Sequence, residues 1–112
     1  MAPPTALRVF RDLVRQAGIG RGDTMRLLNL AAEGRWMLEA DELTEEQLQR
    51  IHALLDITTS LRVARNQETA RVWLTTKDRG ALKGYSPVQH MIRYGLAGFA
   101  DVRRLAQAFA NE

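Results

Sequence analysis

Apolar residues in this chain recur at intervals of three and four almost from end to end, and no useful stretch alternates as a half-buried strand would. That spacing commits the chain to an all-α fold, because only helices bury such a stripe. It predicts about seven helices. Pro3 and Pro4 suit the start of the first, Leu7, Phe10, Leu13, Val14 and Ala17 mark its buried face, and Gly18 ends it. A turn over residues 18–22 leads to a short helix, capped by Gly22 or Asp23 and running to Leu30, which buries Met25, Leu27 and Leu28. Residues 31–39 read as another short helix, weakened by Gly34.

Thr44 and Gln47 form a capping box, with Glu45 and Glu46 favouring the positive end of the helix dipole. A long helix follows to about Arg65, with Leu48, Ile51, Leu54, Leu55, Thr58 and Leu61 inward. Asn66 caps a helix over residues 67–76, with Ala70, Trp73 and Leu74 inward. Residues 77–85 form a loop. Ser86 and Gln89 make a second capping box, with Pro87 at the first helical position. That helix buries Val88, Met91 and Ile92 and stops at Gly95. Gly98 opens the last one, with Phe99, Val102, Leu105, Ala106 and Phe109 on one face.

With 112 residues and 46% apolar content the chain can build a real core. No apolar run approaches the ~20 residues of a membrane span, and Met-Ala-Pro-Pro does not read as a signal peptide. Cysteine is absent, which excludes disulfides, thiolate metal sites and cysteine nucleophiles. The expectation is a bacterial-type cytoplasmic protein with no membrane association. His52 and His90 are the only histidines and read as packing or surface residues, so no metal and no cofactor is expected. Ser60 lies inside a helix and Ser86 is a cap, and Gly-Ile-Gly-Arg-Gly follows no strand. No catalytic residues stand out, and the chain is not expected to be an enzyme.

The net charge is +3, and all but two of the sixteen basic residues are arginine, the exceptions being Lys77 and Lys83. Residues 1–60 are net acidic and residues 61–112 net basic, a division that suggests two tasks. The first three helices have the size of a helix–turn–helix unit. Among its positive groups Arg21 and Arg26 suit phosphate contact, while Glu33 and Arg35 are the charged groups of the segment placed to read bases. The second constellation lies between Trp73 and Gly95, where Lys77, Arg79 and Lys83 make a cationic, glycine-bearing loop pinned between helices.

The succession Arg71-Val-Trp73-Leu-Thr-Thr, Leu82-Lys-Gly84-Tyr-Ser86-Pro87 and then Gly95 with a final helix resembles the toxin-binding domain of Xre/MbcA/ParS-type antitoxins. The likeness covers residues 55–112. Residues 1–54 are similar in layout to the family's helix–turn–helix region. Lys77-Asp78 replaces the family's usual Pro-Asn, and Ala31 stands where its recognition helix has a Ser or Thr cap.

The resemblance implies the antitoxin of a type II toxin–antitoxin system. Its partner would be a cognate RES-domain toxin, which consumes NAD and whose pocket the antitoxin covers. It also implies a homodimer that represses its own operon by binding operator DNA. The expected toxin-binding residues are Lys77, Arg79, Lys83, Tyr85, Arg103, Arg104, Phe109, Asn111 and Glu112. Phe109 and Tyr85 would anchor the interface. Asn111 and Glu112 would offer acceptors to a cationic nucleotide pocket, and the loop would meet acidic toxin surface. The competing reading is a helix–turn–helix transcriptional regulator with no toxin partner.

Overall fold

The computed structural model describes residues 2–29, 43–78 and 80–111. Five helices occur among them: α1 (Pro3–Gln16), α2 (Arg21–Leu27), α3 (Glu45–Ala64), α4 (Gln67–Thr75) and α5 (Pro87–Ala110). There is no strand among the described residues, only an isolated bridge between Asp78 and Tyr85. The all-α class stands, with five helices rather than about seven. The expected helix over residues 31–39 lies outside the described residues. The last two expected helices run together as α5, two arms divided at the expected stop, Gly95.

The bend in α5 has a local cause. Gly95 adopts φ 62° and ψ −140°, outside the helical region, and helical bonding resumes at once on its far side. Residues eleven apart in a straight helix are separated by about 16 Å. Here His90 Nε2 lies 2.9 Å from Asp101 Oδ2, so the two arms fold back on each other. Gly98 permits the approach. A Cβ there would sit 2.6 Å from the carbonyl oxygen of His90, which no side chain tolerates.

The short second helix begins at Arg21, two or three residues earlier than expected, and ends at Leu27 rather than Leu30. Gly20 takes the extended conformation of an N-cap, with φ −68° and ψ 163°, and the Thr24 hydroxyl donates to its carbonyl at 2.8 Å. Both expected capping boxes form, at Thr44 with Gln47 and at Ser86 with Gln89, and Asn66 caps α4 through the Thr69 amide.

α3 is the central element, packed against α1, α4 and α5, while α2 rests on α5. One apolar cluster joins Phe10, Leu13 and Val14 of α1, Leu27 of α2, Ile51, Leu54, Ile57 and Leu61 of α3, Leu74 of α4 and Met91, Phe99 and Val102 of α5. α3 runs through the position that divides residues 1–54 from 55–112 and supplies the shared core on both sides.

Candidate partner-binding surface

The loop after α4 is built as a closed turn. Asp78 N–H donates to the Tyr85 carbonyl at 3.0 Å, and Gly84 N–H donates to the Asp78 carbonyl at 2.6 Å. Asp78 Oδ1 accepts from the Gly80 amide at 2.8 Å, so its carboxylate is spent on the loop itself. Lys83 and Gly84 take positive φ, 54° and 94°, which tightens the turn. Leu82 is buried beneath it, while Lys77 and Lys83 are exposed and Tyr85 is half-buried. These bonds close the described residues of the loop into a turn.

Beside it lies an open groove of about 570 Å³, lined by Val72, Trp73, Thr76, Lys77, Pro87 and Phe109, with Glu68 and Asp78 among its polar groups. Its aromatic wall is a contact between residues thirty-six apart in sequence: the rings of Trp73 and Phe109 have centroids 6.0 Å apart and are tilted by 34°. The Arg65 guanidinium lies 5.0 Å from the Phe109 centroid and donates to the Phe109 carbonyl at 3.3 Å. Val72 is half exposed in this groove. Trp73, expected inward, is only half-buried. Packed against the core, it also lines the open groove.

The expected toxin-binding residues fall on several surfaces. Lys77 and Phe109 share the groove. Lys83 and Tyr85 belong to the turn, where Tyr85 lies under the guanidinium of Arg93. Arg103 and Arg104 line a separate hollow with Ala53 and Leu96, and both are paired, Arg103 with Asp56 at 3.5 Å and Arg104 with Asp101. Asn111 caps the end of α5 and lines a third hollow with Val63, Ala64 and Ser60. Arg79 and Glu112 lie outside the described residues.

Of the expected DNA contacts, Arg21 and Arg26 are exposed on α2, and Arg26 pairs with Asp23 at 3.2 Å. Glu33 and Arg35 lie outside the described residues. α2 has only seven residues and no side-chain cap.

Two arginines that the sequence reading passed over have defined positions. Arg50 is buried on α3, where helical spacing places it between core positions. Its guanidinium donates to the Leu27 carbonyl at 3.0 Å and to Glu46 Oε1 at 3.3 Å, and lies 5.7 Å from the centroid of Phe99. Gln47, besides closing its capping box, donates to the Leu28 carbonyl at 2.9 Å. Together they satisfy the Leu27 and Leu28 carbonyls at the end of α2, while the Arg26 carbonyl is served locally by the Leu28 and Asn29 amides. Arg93 is exposed on α5 between Tyr85 and Tyr94.

His90 packs against Tyr94 with ring centroids 4.7 Å apart, and its Nδ1 is buried without a partner among the described residues. Its hydrogen bond is the main cause that holds the Asp101 carboxyl below the usual carboxylate range, with the charge of Arg104 adding to it against a desolvation penalty. No group of three or more potential metal ligands occurs among the described residues. None of the described helices is long and apolar enough to cross a membrane.

Comparison with known proteins yields no matching family model, no similar curated protein and no similar solved structure.

Proposed function

We propose that the chain is the antitoxin of a type II toxin–antitoxin pair, which neutralises a RES-domain, NAD-degrading toxin by covering its active site. Operon repression through residues 1–54, as a homodimer on operator DNA, is the second part of the proposal. The observation that carries it is the convergence of α4, the start of the following loop and Phe109 on one open, largely apolar groove. Of the residues expected to bind the toxin, Lys77 and Phe109 line this groove. An exposed apolar groove with aromatic anchors and a polar rim is the form a protein-binding surface takes.

The test is co-expression with the protein encoded beside its gene, with cellular NAD as the readout. The full chain is expected to hold NAD near its uninduced level. Deleting residues 109–112 removes the Phe109 wall of the groove and the tail, and is expected to let NAD fall. Full protection by the shortened chain would refute the covering tail. A neighbouring protein that consumes no NAD would refute the antitoxin reading and favour a regulator.

A further inference from the structure

Arg93 differs from the other exposed arginines of α5. Arg103 and Arg104 both face carboxylates, whereas no carboxylate of the described residues lies within ion-pair distance of Arg93. Its neighbours are aromatic. The guanidinium carbon lies 5.4 Å from the centroid of Tyr85 and 5.7 Å from that of Tyr94, and Nε donates to the Tyr94 hydroxyl at a long 3.4 Å. Tyr94 is 50% exposed. Tyr85 is fixed by the closed turn, and exposed Lys83 sits two residues before it.

A guanidinium stacked on aromatic faces keeps its in-plane N–H edge free for a planar anion. With Nε directed to Tyr94, the edge left open is the pair of Nη groups, which takes a carboxylate end-on. The rings restrict the side chain before binding, so less rotamer entropy is lost when the anion arrives.

We infer that Arg93, clamped between Tyr85 and Tyr94, is a carboxylate-binding anchor for an acidic patch on a protein partner. The inference rests on reading the C-terminal surface as partner-binding and names the chemistry of that partner. Arginine with tyrosine is the composition of interface anchors. A nucleic-acid face would need a longer row of cations, since phosphate-driven binding commonly uses about six to ten contacts. Here the loop offers Lys77 and Lys83 beside Arg93, with the Asp78 carboxylate between them in sequence.

The test uses the full chain alone, titrated with a hexaglutamate peptide and separately with a ten-residue deoxythymidine oligonucleotide, and followed by the NMR signals of Arg93 Nε–H, Tyr85 and Tyr94. Hexaglutamate is expected to shift these signals. Arg93→Ala is expected to weaken its binding by about three- to fivefold, as for an exposed ion pair. Arg93→Lys keeps the charge but loses the planar fork, and is expected to recover less than half of that loss. Arg104→Ala, whose native partner is Asp101, is expected to leave binding within about twofold. An exposed side chain tolerates these changes, and an unchanged thermal melt checks that the fold is intact.

Signals that move at lower concentrations of oligonucleotide than of peptide would overturn the inference in favour of a nucleic-acid face. No movement with either would overturn it outright. A change in oligomeric state on Arg93→Ala, read by sedimentation, would assign the clamp to a second copy of this chain instead. Failure of the peptide titration alongside intact neutralisation would remove the clamp and spare the antitoxin reading. Full protection by the tail-deleted chain touches the reading and not the clamp.

Discussion

The two ends of the chain use α3 in different ways. α2 has no side-chain cap of its own, and its last carbonyls are served by Gln47 and Arg50 reaching across from α3. α4 and α5 carry their own caps, Asn66 and the Ser86–Gln89 box, and the loop between them closes on itself. Their charges differ as well. On the N-terminal helices Arg15 and Arg26 are paired within a turn to Asp12 and Asp23. On the C-terminal side Lys77, Lys83 and Arg93 have no carboxylate of the described residues within ion-pair distance. The end of α2 takes two hydrogen bonds from α3 while the helix packs on α5, whereas the C-terminal region closes its own loop and leaves Lys77, Lys83 and Arg93 without a carboxylate partner among the described residues. A surface of the second kind is equipped to meet a partner at low ordering cost.

The largest effect expected from breaking this arrangement is at Phe99, which is 1% exposed on α5 and belongs to the shared core. Phe99→Ala is expected to cost about 3–5 kcal/mol in chemical denaturation and to lower both regions together. Separate melting of the two ends would show that they are independent units. Arg50→Ala comes next. It takes a charged donor from the Leu27 carbonyl and from Glu46, at a cost of about 2–3 kcal/mol. Amide exchange is expected to rise first in α2, ahead of α4. An equal rise in both would contradict the dependence of α2 on α3.

Capping gives a smaller and more symmetrical contrast. Ser86→Ala is expected to cost about 1 kcal/mol, since it breaks the box at the start of α5. Gly20→Ser adds a capping hydroxyl where none exists, in open space, and is expected to gain a few tenths of a kcal/mol. A loss of stability in that variant would show that Gly20 is not limited by its missing cap. The smallest effect concerns pH. Asp101 is held below its ordinary value in the folded chain, so it stabilises the fold above the unfolded value near 4 and loses that contribution as pH falls through the folded value. Asp101→Asn is expected to flatten the stability profile below about pH 4. An unchanged acid limb would show that the His90–Asp101 bond does not support the bend.

Most of the fold was legible because its signals are local. Capping boxes, the glycine after α1 and the apolar stripes of α1 and α3 are set by neighbours three and four residues apart. The bend of α5 was legible as a stop at Gly95. That helix resumes at once on the far side depends on the fit of Gly98 against the His90 carbonyl, which spacing does not encode. Trp73 reads as a core residue from its helical position, yet whether its outer face is covered depends on Phe109, at the far end of the chain. Arg50 and Arg93 were passed over for the same reason. A buried arginine and an exposed one look alike until the carbonyl of Leu27 or the rings of Tyr85 and Tyr94 are placed beside them.

The most direct test places one new negative charge in each region during co-expression with the protein encoded beside its gene, the proposed NAD-consuming toxin. Val72→Glu puts a carboxylate in the groove at a half-exposed position, and Arg26→Glu reverses an exposed charge on α2. Both variants are expected to stay folded, as their thermal melts will confirm. Val72→Glu is expected to lose protection, so that NAD falls as it does without antitoxin, while Arg26→Glu keeps NAD at the level held by the unaltered chain. Full protection by Val72→Glu, with loss of protection by Arg26→Glu, would place the partner on the N-terminal helices and contradict the assignment of the C-terminal groove.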